Sequence, residues 1–260
     1  MAATKTVLAV GAHADDVEFG MAGTLSLLAK TGFAPHIMTL AQCDLDSNEM
    51  PREEIARIRD LEARRSAEVL GAVYHPALVP DMMVFYEDRL LRKVAAVVRE
   101  VQPTIVLLPS LNDYMEDHTN TARLVVSACF LRGMRNYVTD PPRDMTGQDV
   151  FLYHAQPHAN RDGMRNFVMP DLFVDIGAEL DVKLKMLSCY ESQWKWLKET
   201  QGMENFLDNM RRFCAELAQA APGKGIQYAE GFRQHSYVGF SAEDGDPLGL
   251  VLGSRISRRP

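Results

Sequence analysis

The chain has 260 residues, 47% of them hydrophobic and 24% charged, enough to bury a sizeable core and far from the compositions of disordered or membrane proteins. A formal net charge of −7 offers no basic stripe to a phosphate backbone, and the tail Arg255, Arg258, Arg259 is too short to supply one, so no nucleic-acid partner is expected. The length fits one domain over residues 1–260. Cys43, Cys129, Cys189 and Cys214 lie far apart, the pattern of reduced thiols rather than of a disulfide frame or a cysteine-zinc site. Met1 to Thr6 lacks a charged segment followed by an apolar leader, and no stretch reaches the roughly 18 apolar residues of a membrane span. A cytoplasmic protein with no membrane partner is the expectation.

The first element is the apolar run Thr6 to Ala12, whose short and β-branched side chains and abrupt polar end read as a buried strand. Gly20 to Gly32 carries Met21, Leu25 and Leu28 at helical spacing and stops at a glycine. His36 to Leu40 is a second strand. Cys43 to Arg52 is turn-rich, and Pro51 opens a long helix from Glu53 to Leu70 that Gly71 ends. Val73 to Val79 reads as a third strand. Leu90, Val94, Val97 and Val101 mark a helix by their period, and Pro103 forces an extended entry to the strand Thr104–Leu108. Gly133 to Gln148, rich in Pro, Asp, Arg and Thr, reads as a long surface loop. Val150–His154 and Leu172–Ile176 are further strands, and Leu180, Leu184, Leu187 and Trp194 mark a helix. Alternating strands and helices imply βαβ crossovers: an α/β, Rossmann-like fold with a mostly parallel sheet and helices on both faces.

Chemistry concentrates in the loop leaving the first strand, where open α/β sheets bind ligands. His13 and Asp16 stand three residues apart, both types suit zinc, and Asp15 between them is a carboxylate beside the ion rather than on it, as a general base requires. A catalytic zinc site takes three protein ligands and keeps one position open. The loop after Thr104–Leu108 reads Asn112-Asp113-Tyr114-Met115-Glu116-Asp117-His118, and His118 is the natural third ligand, with Asp117 as an outer-sphere orienter of the site. A lone histidine at a strand end is ordinarily structural, and acids before a helix ordinarily cap it, Glu18 included. Capping explains neither His13 nor the second acid-histidine pair.

The chain resembles the PIG-L/LmbE family of zinc-dependent N-deacetylases. Its first motif, Ala-His-Pro-Asp-Asp-x-Glu, is met by Ala12-His13-Ala14-Asp15-Asp16-Val17-Glu18 apart from Ala14. Gly20 and Gly23-Thr24, Arg59 with Glu62 and Leu70-Gly71, Lys185 to Gln193 ending Glu191-Ser192-Gln193, and Ala229-Glu230-Gly231-Phe232 resemble its later motifs. The resemblance implies zinc on His13, Asp16 and His118 and Asp15 as general base, with Glu18 left as a helix-start or outer-sphere residue.

Two positions depart from the pattern. The family's second motif usually reads His-x-Asp-His, its first histidine implicated in protonating the leaving group or holding the oxyanion; here it is Met115, a thioether with no proton to give. Tyr190 stands where the late helix usually has histidine. His154 is the first substitute, His158 the second, with His235 also in reach of the argument. Arg59 reads either as a substrate-binding residue or as a solvated ion-pair partner. Asp44 to Glu49 could meet hydroxyls or amines, and Trp194 and Trp196 a sugar face, although Trp194 also completes the helix's apolar stripe.

The resemblance and the residues together imply an enzyme, a zinc-dependent amide hydrolase taking an N-acetyl group from an amino sugar or related small amide. Two alternatives stand: a zinc-dependent hydratase or lyase acting on a small unsaturated carboxylate, which the family also contains, and a non-catalytic metal- or sugar-binding protein. His and Asp ligands leave iron, manganese or cobalt open beside zinc, and a homo-oligomer is equally open.

Overall fold

The computed structural model describes residues 5–223 and 225–259, so residues 1–4 of the stretch expected to lack a leader lie outside it. The apolar run becomes β1 (Thr6–Gly11), paired in parallel with β2 (Ala34–Thr39) and with β4 (Ile105–Leu108). β3 (Val73–His75) and β5 (Phe151–Ala155) extend the parallel part outward on either side. Beyond β5 the direction changes, because β7 (Ala229–Gln234) runs antiparallel to it, followed by β6 (Leu172–Asp175) and β8 (Ile256–Arg258). The order β3-β2-β1-β4-β5-β7-β6-β8 is one mostly parallel, mixed eight-stranded sheet of Rossmann-like α/β type.

A strand buried on both faces sends alternate side chains to opposite layers. Val7, Ala9, Ile105 and Leu107 pack in one cluster with α2 (Ala22–Lys30), α3 (Arg52–Leu70), α6 (Leu180–Leu187) and α8 (Phe206–Ala220). Leu8, Val10, Val106 and Leu108 pack in a second with α4 (Asp88–Val101) and α5 (Glu116–Leu131). The α4 stripe of Leu90, Val94 and Val98 is fully buried there, each side chain contributing about 1.5–3 kcal/mol. Gly23 is required at the α2 contact, since a Cβ would lie 2.7 Å from Ile176 Cγ2. No described helix is long and apolar enough to cross a membrane.

Several elements differ from expectation. The helix expected from Gly20 to Gly32 is α2, and a separate short helix not anticipated, α1 (Asp16–Gly20), precedes it, the two parted at Met21, whose φ of −140° breaks the spiral. β3 stops at His75, and Val79 makes only an isolated bridge to Ala41. His118 is not a loop residue but sits in the first turn of α5, a helix the sequence reading passed over. The helix expected through Trp194 breaks at Ser188–Tyr190 into α6 and α7 (Glu191–Gln201). α8, β7, β8 and α9 (Pro247–Leu252) were not anticipated. Residues 133–148 hold no helix or strand, as expected; Arg99 donates to the carbonyls of Leu131, Arg132, Met134 and Arg143 and fixes their path.

The late motifs fasten the first helices. Glu230 on β7 accepts the backbone N–H groups of Gly23 (2.9 Å) and Thr24 (2.7 Å), orphan donors at the start of α2, and pairs with the fully buried Lys183. Lys183 also donates to the Phe19 carbonyl, whereas Lys185, the lysine of the resemblance, is exposed.

Candidate metal centre

The chain order reverses between β1 and β4, the switch point where two loops diverge and leave a crevice. The loop after β1 folds back tightly because Gly11 has no Cβ, which would stand 2.9 Å from Asp16 Cβ. Asp16 Oδ2 then accepts the backbone N–H groups of Ala12 and His13, both at 2.8 Å. Asp15 is held at φ 116°, a left-handed conformation costing a non-glycine residue about 1–3 kcal/mol. Arg59, on α3, donates from Nη2 to the Ala14 carbonyl at 2.8 Å and braces that bend.

From the other side the β4 loop and α5 deliver His118. Its Nε2 lies 3.3 Å from His13 Nδ1 and 3.5 Å from Asp16 Oδ1, and one ligand atom from each of the three lies within 4.8 Å of the others. The outward nitrogens are engaged by carboxylates: His13 Nε2 meets Asp117 Oδ2 at 3.2 Å, and His118 Nδ1 meets Asp113 Oδ1 at 2.8 Å. With the ring protons on the outward nitrogens, which those carboxylates favour, the two inward nitrogens turn lone pairs toward each other, and a cation between them would satisfy both. Two zinc–nitrogen bonds of about 2.0–2.1 Å at a tetrahedral angle span roughly 3.3 Å. The residues therefore fit a borderline divalent ion.

Charge follows from burial and neighbours. Burial works against the Asp16 carboxylate, yet His118, His13 and the two backbone N–H groups hold its pKa below the ordinary value. Burial opposes charge on His118 as well, but Asp16 and Asp113 raise it to about 9. Burial pushes Asp15 well above the usual carboxylate range, with Arg59 as the opposing charge.

The site lies under a cleft of about 570 Å³ lined by His13, Asp15, Asp16 and His118 at its floor. Asp46 and Asp81 are acids on its wall, and Trp196, Leu197, Met203 and Phe206 are its apolar side. Of the acidic loop, Asp44 turns away to pair with Arg52 and to accept Asp81 N–H. Trp194 is on the outside of α7, 45% exposed, so the apolar stripe it was read into does not include it.

Other expected site residues are placed differently. His154 is not among the residues lining the cleft: it is the penultimate residue of β5, with Nδ1 on the Pro109 carbonyl at 2.8 Å and Nε2 on His235 at 3.0 Å, and burial lowers it to about 4. His158 is the histidine lining the cleft, set between the rings of Phe19 and Phe213. Arg59 is neither solvated nor in the cleft; it is 1% exposed beneath the loop, with Nε and Nη1 lacking hydrogen-bond partners. Glu18 turns from the ligands into the core and accepts from Ser66 Oγ and, at 3.0 Å, from Tyr190 OH. Asp117 stands behind His13, on its Nε2, and also accepts Met82 N–H at 2.8 Å. Met115 lines the cleft wall. Sequence reasoning missed Asp113 and Asp81; the first stood in the quoted loop five residues before His118, and the second carried no local signal.

Switch-point loops that bring two imidazoles and a carboxylate together, each imidazole backed by another acid, define an α/β protein with a candidate catalytic metal centre. Residues 8–129 match the family described as PIG-L, GlcNAc-PI de-N-acetylase, and the chain carries a PIG-L family domain there. Diacetylchitobiose deacetylase of Thermococcus kodakarensis is 25% identical over 89% of this chain and 85% of its own length. The 4-oxalmesaconate hydratase of Pseudomonas putida is 28% identical over 73% of this chain and 74% of its own. The crystal structure of the 4-carboxy-2-hydroxymuconate hydratase from Pseudomonas putida superposes with a TM-score of 0.74 at 26% identity, covering 89% of this chain and 96% of that one. The relatives are thus enzymes of more than one chemistry, deacetylases and a hydratase.

Proposed function

We propose that the chain is a zinc-dependent N-deacetylase acting on a small N-acetylated amine without negative charge, an amino sugar or a close relative. The observation that carries this reading is the cleft's lining: Asp15, Asp46 and Asp81 face it, and no lysine or arginine is among the described residues that line it. An acidic wall suits hydroxyl donors and a departing ammonium and opposes a polycarboxylate. His13, Asp16 and His118 would hold the ion, which when bound supplies Lewis-acid polarisation of the acyl carbonyl and brings the pKa of water toward about 7.

Asp15 accepts the proton from the attacking water as its oxygen bonds to the acyl carbon. The same carboxyl returns that proton to the amide nitrogen as the C–N bond breaks, giving acetic acid and a free amine, and the acid's proton passes to the amine so that acetate and an ammonium leave. One group serving in turn as base and acid removes the need for the histidine that Met115 replaces. His158, across the cleft, offers a ring N–H to the substrate oxygen. Arg59 acts from below, holding the Ala14 carbonyl and so the orientation of Asp15.

Hydration of an unsaturated carboxylate is the second reading, favoured by Met115 in the cleft wall and by the Pseudomonas putida relatives. An amine-release assay over N-acetyl sugars and simple acetamides, with zinc added or chelated, tests the first. Metal-dependent amine release is expected. Loss of absorbance from an unsaturated dicarboxylate, with no amine released from any amide, would overturn it in favour of the second.

A further inference from the structure

A second, smaller cavity of about 50 Å³ borders the same centre, with Asp16, Asp113 and His118 in its lining. Asp16, Phe19, His118 and His158 line both spaces, so the wide cleft and this chamber adjoin at the candidate metal ligands. The inner walls come from α8, through Phe213, Cys214 and Leu217, and from Met21 and Gly231. Gly231 is compelled: a Cβ would stand 2.9 Å from Pro170 Cγ, so neither side of that wall can give.

We propose that this chamber is the acyl subsite and that it limits the substrate to short acyl groups, with Leu217 and Phe213 setting the limit. The proposal rests on the deacetylase reading for its chemistry and on the shared lining of the two cavities for its residues. At about 10–15 Å³ for each water-sized group the chamber holds roughly three to five, which accommodates acetyl through butanoyl and excludes hexanoyl. The amine body stays in the cleft, more than ten times larger by the two volumes. One wall atom adds a chemical preference. Gln156 lines the chamber, its Nε2 is committed to the Val168 carbonyl, and its Oε1 is buried without a partner. A hydroxyl on the second acyl carbon supplies the missing donor, so glycolyl fits better than acetyl.

The test is calorimetric binding of a straight-chain hydroxamate series, two to eight carbons, to the zinc-loaded full chain. Affinity is expected to rise about three- to fourfold per methylene up to four carbons, at the usual value for burying CH₂, and to fall at least tenfold by six. Leu217→Ala should move the optimum two carbons longer and Leu217→Phe should move it to two; Leu217→Val, a smaller cut, keeps the test open should the alanine variant not fold. Glycolohydroxamate should bind more tightly than acetohydroxamate, and Gln156→Met should abolish that difference. An affinity rising steadily to eight carbons, an optimum moved by Trp196→Ala in the cleft and not by Leu217, or no binding by any member overturns the proposal. Glycolohydroxamate binding no better than acetohydroxamate overturns the role of Gln156. A four-carbon optimum in a protein that releases amine from no amide upholds the chamber and sinks the deacetylase reading instead.

Discussion

Asp113→Ala isolates the support of one metal ligand from everything the substrate does. In the wild type the Asp113 carboxylate accepts His118 Nδ1–H at 2.8 Å and also accepts Met115 N–H at 3.1 Å, at the start of α5. Its side chain is 2% exposed, so water does not readily replace it. Removing it frees the His118 ring to take either tautomer and to turn, and only one combination presents an Nε2 lone pair 3.3 Å from His13. Loss of such an outer partner costs about 10–100-fold in metal affinity, or roughly 1.4–2.8 kcal/mol. The lost contact at the helix start takes about 1 kcal/mol more from folding. Competition against a chromogenic chelator measures the zinc dissociation constant directly, with circular dichroism confirming the fold. A constant within twofold of wild type would refute the reasoning, because His118 would then be oriented by its packing alone.

Asp15→Asn should retain stoichiometric zinc while amide turnover falls about 10²–10⁴-fold, measured as amine released at saturating substrate; unchanged turnover would remove Asp15 from the chemistry. Glu230→Gln leaves Lys183 buried without its counter-charge and should cost about 3–5 kcal/mol, a fall in melting temperature of roughly 6–20 °C, with the double change to Lys183→Met milder than the single. His75 lies against His36, its Nε2 3.0 Å from His36 Nδ1, and burial first and then its neighbour lower it to about 4. Between its unfolded value near 6.5 and about 4 the unfolded chain binds a proton that the folded chain refuses, so stability falls as pH falls through that window; His75→Gln should flatten that part of the melting curve against pH.

The first half of the fold was legible because its strands are short apolar runs closed by Gly or Pro, and because Gly71, at φ 64°, stops α3 where the sequence placed the stop. The grouping of His13, Asp16 and His118 was legible for a similar reason: they lie in the polar segments that follow two neighbouring buried strands, Asp16 opening α1 and His118 in the first turn of α5. The misplacements share another cause. Arg59 and Glu18 resemble surface residues in sequence, and only tertiary contacts reveal that an Ala14 carbonyl and a Tyr190 hydroxyl await them inside. His154 and His158 lie four residues apart, and the turn at Pro157, followed by Ala159 at φ 57°, decides which of them reaches the cleft. α8 had left its signal in Phe206, Met210, Cys214 and Leu217 at three-to-four spacing. β7 had none, since Ala229-Glu230-Gly231-Phe232 does not alternate in polarity.

The reach of Glu230 back to α2 sets a schedule for the nascent chain. The acceptor for the Gly23 N–H lies 207 residues further along. At about 5–20 residues per second a ribosome takes roughly 10–40 s to supply it. Throughout that interval the helix behind the metal loop has its first donors unpaired, while His13 and Asp16 are already outside the tunnel. An emerging chain thus displays two of the three candidate metal ligands long before the scaffold around them is complete, and metal captured early would be captured by a loop without its frame.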